Sequence, residues 1–180
     1  SKRPTHSEIV RYKLWLEQRY VSPYTGQTIP LSRLFTTDYE IEHIIPQSRY
    51  FDDSLSNKVI CEAAVNKLKD NCLGYEFIQK HHGEIVDIGG GRKVQIPELD
   101  SYCASVENNY KNNRSKMKKL LMEDIPSEFI ERQLNDSRYI SKFVKGLLSK
   151  IVREEDEQEA TSKNLIVCSG SVTDRLKREW

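Results

Sequence analysis

The sequence predicts an α+β chain, mostly helical around a small core of short strands. Three observations predict it. Apolar residues recur at helical spacing through several segments that carry helix-start signals. A few short β-prone segments are bounded by Pro, Gly or Asp-rich turns. The 180 residues are 37% hydrophobic and 31% charged, the mix of a globular protein rich in surface helix.

The charge balance is 28 Lys+Arg against 27 Asp+Glu, a net of +1. A free-standing DNA binder usually carries a clear basic excess, so this balance argues against one. No apolar run approaches the roughly 18 residues of a membrane span. The opening Ser1-Lys2-Arg3-Pro4-Thr5-His6 lacks the apolar stretch of a signal peptide. Cys61, Cys72, Cys103 and Cys168 form no C-x-x-C pair, which fits reduced thiols of a cytoplasmic protein rather than a zinc site or disulfide framework.

In chain order, Thr5 to Tyr20 reads as an amphipathic helix. Ile9, Tyr12, Leu16 and Tyr20 recur along it, Leu14 and Trp15 broaden the stripe, and Thr5 with Glu8 fits a capping box. Ser22-Pro23-Tyr24-Thr25-Gly26-Gln27 reads as a turn or tight hairpin. Tyr39 to Ile45 is a short strand ended by Pro46. Asp52-Asp53-Ser54 is a polar turn, and Ser56 to Leu68 reads as a helix with no Pro or Gly to interrupt it.

Leu73 to Lys80 is a short helix closing near Gly83. Ile85–Ile88 and Lys93–Ile96 are β-prone, joined by Gly89-Gly90-Gly91-Arg92. Three adjacent glycines suit a hairpin turn at positive φ. No Lys-Ser/Thr and no helix start follow, so the run is not a phosphate-binding loop. Helices follow over about Glu98–Tyr110, Arg114–Leu121, Ser127–Asn135 and Asp136–Arg153, the last with Asp136 as N-cap. Glu154 to Glu159 is an acidic loop. Asn164–Cys168 is an apolar strand that belongs to a sheet with strands outside this sequence. Ser169-Gly170-Ser171 turns it into a helix from Val172 to Trp180.

Chemistry concentrates in three places: Glu40-Ile41-Glu42-His43-Ile44-Ile45-Pro46, Asn57-Lys58-Val59-Ile60, and Asn66-Lys67-Leu68-Lys69. A carboxylate beside a histidine at a strand end suits phosphodiester hydrolysis. Glu42 is a hard oxygen ligand of the kind that holds Mg²⁺. A histidine can take a proton from water near neutral pH. Neighbours on a strand point to opposite faces, so the pair needs an irregular strand end to reach one phosphate. On a single helix, Asn57 and Asn66 lie about 2.5 turns apart and face nearly opposite ways. One amide can then face a metal while the other faces the loop between strands.

The combined pattern is E-x-E-H-I-I-P-Q-S, then F-D-D-S-x-x-N-K-V, then Asn after nine residues. It resembles the HNH (ββα-metal) nuclease motif, with His43, Asn57 and Asn66 as its three letters. More specifically, it resembles the HNH domain of the type II CRISPR RNA-guided DNA endonucleases, the Cas-nine family. Tyr24-Thr25-Gly26-Gln27 resembles that family's first-strand Y-T-G. Phe129 to Lys142 resembles the linker after the HNH domain. Leu165-Ile166-Val167 with its helix resembles the entry to the third RuvC-like segment, and the opening helix resembles the linker leaving the second.

The resemblance implies a linker helix over 1–20 and an HNH nuclease domain over 21–126. It further implies hinge helices and an acidic loop over 127–160, and the start of a RuvC-like segment over 161–180. It implies that Glu42 and Asn66 ligate Mg²⁺, with Mn²⁺ able to substitute. His43 is then the general base, and Asn57 holds the loop that orients it. Many members carry Asp at the positions of Glu40 and Glu42, and the extra methylene leaves direct or water-mediated ligation open. The RuvC-like catalytic carboxylates are absent from the sequence.

Lys58, Lys67 and Lys69 are candidate phosphate contacts. Lys111, Arg114, Lys116, Lys118 and Lys119, a run without an acid, could track a nucleic-acid backbone. The partners implied are the target DNA strand in a guide RNA–DNA heteroduplex, the rest of the effector with its RuvC-like domain, and an anti-CRISPR inhibitor. No membrane is involved, and the isolated segment would be a monomer in the bacterial cytoplasm. A stand-alone HNH nuclease and a non-catalytic docking module with the same fold are the alternatives.

Overall fold

The structure, a computed structural model, describes residues 3–134 and 137–152. They fall into two compact units, divided between Pro126 and Ser127. The Asp136 cap, Cys168, the acidic loop and the C-terminal strand and helix lie outside the described residues.

The first unit opens with α1 (His6–Glu17), and the predicted Thr5–Glu8 capping box is present. The helix does not turn the predicted stripe inward. Leu14 is buried, with Val10 and Trp15 packed beside it, while Ile9, Tyr12, Leu16 and Tyr20 stay 40–45% exposed. Polar anchors set this rotation. Arg11 donates to the carbonyls of Leu34, Thr36 and Tyr39, and the Trp15 indole donates to that of Ile29.

β1 (Tyr39–His43) pairs antiparallel with β2 (Lys58–Glu62), placing Glu42 opposite Val59 and His43 opposite Lys58. A one-turn 3₁₀ helix, Leu55–Asn57, leads into β2, which runs without a loop into α2 (Ala63–Lys69). The helix predicted over Ser56–Leu68 is thus a turn, a strand and a shorter helix. The error has a physical cause. Val59, Ile60 and Cys61 are all buried because the two-stranded sheet is covered on both faces. Val59 and Cys61 join one apolar cluster and Ile60 the other. A strand buried on both faces loses its alternation and reads like any short apolar run.

α3 (Gly74–His81) leads to the hairpin of β3 (Ile85–Asp87) and β4 (Lys93–Gln95). Gly89, Gly90 and Gly91 in its turn all have positive φ, at 85°, 62° and 71°, as the glycine run predicted. α4 (Leu99–Tyr110) and α5 (Arg114–Leu120) close the larger core, with Tyr102 donating to the Leu120 carbonyl. The second unit contains α6 (Ser127–Leu134) and α7 (Ser137–Val152). Cys61, Cys72 and Cys103 are free thiols. No helix among the described residues is long and apolar enough to cross a membrane.

Candidate active site

β1 ends at His43, and the chain leaves the sheet through Pro46. Backbone pairing persists one step further, because the Ile44 amide donates to the Asn57 carbonyl at 2.9 Å. The connection from Ile44 to Ser56 then folds back over the sheet end. Asn57 fastens it. Its fully buried side chain accepts from the Ile45 amide at 2.9 Å and donates to the carbonyls of Ile45 and Asp52 at 3.0 and 2.9 Å. Two buried backbone groups and one part-buried carbonyl are satisfied by one amide, which only Asn or Gln chemistry allows.

Beside this loop lies a pocket of about 290 Å³, whose lining includes Glu42, His43, Gln47, Asn66 and Asp70. β1 supplies the first two, α2 supplies Asn66, and Asp70 follows α2 with φ at +47°. Asn57 stands behind the loop and does not line the pocket. The two asparagines come from different elements, so their separate directions owe nothing to a shared helix.

His43 is about a quarter exposed. Its Nε2 lies 2.9 Å from Asp53 Oδ1 and 3.0 Å from the Gln47 amide nitrogen. Lys58 Nζ reaches the same Asp53 oxygen at 2.8 Å. Burial opposes ionisation of Asp53, but the hydrogen bonds from Lys58 and His43 outweigh it and hold its carboxyl below the usual range. Asn66 donates to Glu40 Oε2 at 2.8 Å. A carboxylate only accepts, so this bond turns the Asn66 amide nitrogen toward Glu40 and its oxygen away.

Glu42 is buried, and both its oxygens have protein donors. Tyr24 donates to Oε2 at 2.7 Å, and Lys69 donates to Oε1 at 2.5 Å. Burial first, then the Glu42 charge, push the Tyr24 phenol well above its ordinary pKa, so it stays protonated and donates. Ser22 and Thr25 donate to the buried Glu62 carboxylate at 2.6 and 2.7 Å, which ties the turn carrying Tyr24 to β2.

Two sequence expectations about lysines are corrected. Lys69 is fully buried against Glu42 and presents no ammonium to a phosphate here. The basic run of residues 111–119 is partly consumed inside the fold. Lys116 is buried and pairs with Glu17, and Lys119 donates to Asp52 and Ser56. Lys67 is exposed, and Lys58 is partly exposed while paired with Asp53.

Sequence reasoning missed Lys69 as an internal cation, Tyr24 and Asp53 as side-chain partners, and Asp70. The paired aspartates in the predicted turn were a signal for Asp53. Nothing local marked Lys69, because the last lysine of a polar helix ordinarily points to water.

The residues fit a divalent cation in kind. Glu42 and Asn66 bring hard oxygen donors to one pocket, and each carboxylate oxygen keeps a further lone pair beyond the bond it accepts. A cation there would share Glu42 with the Lys69 ammonium. No group of three or more His, Cys, Asp or Glu poised around a single point is found among the described residues.

A strand–loop–strand–helix unit with His43 at the strand end and Asn66 on the helix defines a class. It is that of the HNH endonucleases, whose family model matches residues 22–75. A model of the RuvC endonuclease subdomain 3 matches residues 124–180. The chain's relatives are CRISPR-associated endonucleases of the Cas9 family, and the chain corresponds to an HNH-containing stretch of them. It is 30% identical over 172 residues to CRISPR-associated endonuclease Cas9 1 of Streptococcus thermophilus, covering 94% of this chain and 14% of that protein. It is 27% identical to Cas9 of Staphylococcus aureus, covering 87% of this chain and 14% of the relative. The crystal structure of Streptococcus thermophilus Cas9 in complex with the AGAA PAM superposes with a TM-score of 0.57 at 28% identity, over 97% of this chain and 16% of that one. The chain therefore spans about one-seventh of the length of these relatives.

Proposed function

We propose that this chain is the metal-dependent DNA endonuclease domain that cleaves the strand paired with guide RNA. The observation that carries the reading is the single pocket shared by Glu42, His43 and Asn66. The match to HNH endonucleases over residues 22–75 supports it. His43 takes a proton from water, the water oxygen attacks the phosphorus in line, and the bond to the 3′ oxygen breaks. Glu42 and Asn66 would hold Mg²⁺, or Mn²⁺ in its place. When bound, such an ion neutralises charge on the phosphoryl oxygens and the leaving oxygen. Asn57 keeps the loop, and with it His43, in place. Lys67 and Lys58 are the lysines left to meet phosphate.

In this reading, 1–20 is a linker helix, 21–126 the HNH domain, 127–160 hinge helices with an acidic loop, and 161–180 the start of a RuvC-like segment. The match to RuvC subdomain 3 over residues 124–180 supports the last assignment. The partners are the guide RNA–DNA heteroduplex and the remaining effector with its RuvC-like domain. An anti-CRISPR inhibitor would be a further partner, and the chain alone would be a monomer in the bacterial cytoplasm. The near-neutral charge suits a tethered cutter, because affinity for DNA is supplied elsewhere in the assembly.

A second reading draws on the Lys69–Glu42 pair. With its first carboxylate neutralised internally, the domain would dock without cutting. A strand-specific cleavage assay separates the two, using a complete Cas9 effector that carries this segment, with Mg²⁺ or Mn²⁺. The expected result is metal-dependent cutting of the guide-paired strand that His43→Ala lowers by about 10²–10⁴-fold while DNA binding persists. Cutting at an unchanged rate in His43→Ala would sink the nuclease assignment. No cutting by the unsubstituted segment would favour the docking module.

A further inference from the structure

The turn at Asp52–Ser54 meets His43 through Asp53, while the adjacent Asp52 is held by other elements. Asp53 Oδ1 lies 2.9 Å from His43 Nε2. A carboxylate without its proton only accepts, so this contact calls for a hydrogen on Nε2; the Gln47 amide nitrogen, 3.0 Å from the same ring nitrogen, can only donate and then makes no bond to the ring. That amide nitrogen, 3.3 Å from the Asp53 oxygen, donates there instead. In the neutral ring the lone pair then resides on Nδ1, which has no hydrogen-bond partner among the described residues.

Asp52 is anchored from far along the chain. Its carboxylate accepts from Lys119 Nζ of α5 at 2.7 Å, and the same ammonium reaches Ser56 Oγ at 3.0 Å. Its carbonyl accepts from Asn57 at 2.9 Å. Asp52 also accepts from the Ser54 amide at 3.0 Å, which closes the turn on itself. The peptide that presents Asp53 is thus fixed at its preceding residue from three directions.

The geometry points to Asp53 as a positioning residue that holds His43 in the Nε2–H tautomer with Nδ1 as the proton acceptor, and to Lys119 as the strut that keeps Asp53 there. This rests on the reading of His43 as the general base. In the other tautomer the ring would offer an N–H to water where an acceptor is needed. In the held one, the water proton passes to Nδ1, Nε2 keeps its own hydrogen, and the resulting imidazolium faces the Asp53 carboxylate. An acidic group behind a catalytic imidazole acts in this way, by fixing the tautomer and stabilising the cation that forms.

The test uses the full 180-residue chain, labelled with ¹⁵N, and long-range ¹H–¹⁵N spectra of the neutral His43 ring. The expected result is an Nε2–H tautomer in the unsubstituted chain and a mixed population in Asp53→Ala. Lys119→Met should shift the population part of the way. Mn²⁺ affinity of the same chains should change less than about twofold, since neither residue is a ligand. In the complete effector, Asp53→Ala should lower the cleavage rate by about 10- to 100-fold, less than His43→Ala. An Nδ1–H tautomer in the unsubstituted chain would overturn the proposal, as would a tautomer unmoved by Asp53→Ala. A tautomer that shifts with no loss of cleavage would overturn its catalytic part while leaving His43 as the base. Cleavage that survives His43→Ala would instead remove the reading on which the proposal stands.

Discussion

Lys69 Nζ stands 2.5 Å from Glu42 Oε1 with both side chains buried, so the carboxylate that lines the pocket is neutralised from behind by the last residue of α2. Neither charge could occupy this position alone. Removing one member of a buried pair leaves the other uncompensated, at a cost of roughly 3–5 kcal/mol. Lys69→Met should therefore destabilise the fold by about that amount, and the Lys69→Met/Glu42→Gln double variant by distinctly less. A divalent cation that binds Glu42 in the folded chain should return part of the loss in Lys69→Met, because binding to the native state stabilises it. Denaturant unfolding with and without Mn²⁺ reads all three. A single variant as stable as the unsubstituted chain would show that the pair is not a charge balance.

Asn57 carries a second expectation. Alanine there would strand the Ile45 amide and carbonyl away from water and leave the part-buried Asp52 carbonyl without its donor. Each unpaired buried group costs about 1–3 kcal/mol, less whatever the loop recovers by relaxing. Asn57→Ala should lose roughly 3–5 kcal/mol, and Asn57→Asp should do little better, because it keeps one acceptor and loses both donors. Hydrogen exchange localises the effect, since the Ile45 amide should lose protection ahead of the core strands. Unchanged protection at Ile45 would argue that the side chain does not fasten the loop.

This asparagine shows where the sequence was legible and where it was not. The motif located Asn57 and assigned it the loop, but periodicity put it on the wrong element. Both faces of β2 are buried, so Val59, Ile60 and Cys61 carry no alternation to betray a strand. The hairpin of β3 and β4 was readable because positive φ restricts residue choice, and three glycines advertise it. The helix ends were readable for a similar reason, as at Thr5 and Glu8, where the signal is local chemistry. The rotation of α1 was not, because Arg11 and Trp15 choose it through carbonyls more than ten residues away. Pairings such as Lys69 with Glu42 belong to the same class. They join residues 27 apart, and no spacing rule reaches that far.

Asn66 is expected to act at the metal and Asn57 only at the loop. Glu40 takes one Asn66 N–H at 2.8 Å, so the amide has a fixed sense. Asn66→Ala should weaken Mn²⁺ binding to the 180-residue chain at least about tenfold, the scale of a lost ligand or of its supporting partner. Glu40→Ala should weaken it less, and Asn57→Ala least once unfolded protein is discounted. Titration calorimetry orders the three. Binding that fails in Asn57→Ala but survives in Asn66→Ala would reverse the two roles.

Acid should loosen the fold through its depressed carboxyls. Burial opposes ionisation of Asp52, but Lys119 and Ser54 donate to it and hold its carboxyl below the usual range. Asp53 is lowered by Lys58 and His43 against the same penalty, and Glu76 by Arg49 and the Leu73 amide. A carboxyl whose folded pKa lies below its unfolded value contributes its full stability above the unfolded value. That contribution drains away as pH falls toward the folded value. Unfolded Asp and Glu titrate near about 3.9 and 4.3, so the loss should set in below about pH 4.5. All three groups are partly exposed, so salt should shrink the effect. Lys119→Met should flatten the acid limb, because Asp52 would return toward its ordinary pKa, and it should do so more at low ionic strength. Unfolding free energies measured from about pH 6 down to about pH 3 test this. An acid limb of equal steepness with and without Lys119 would mean that other groups drive the loss.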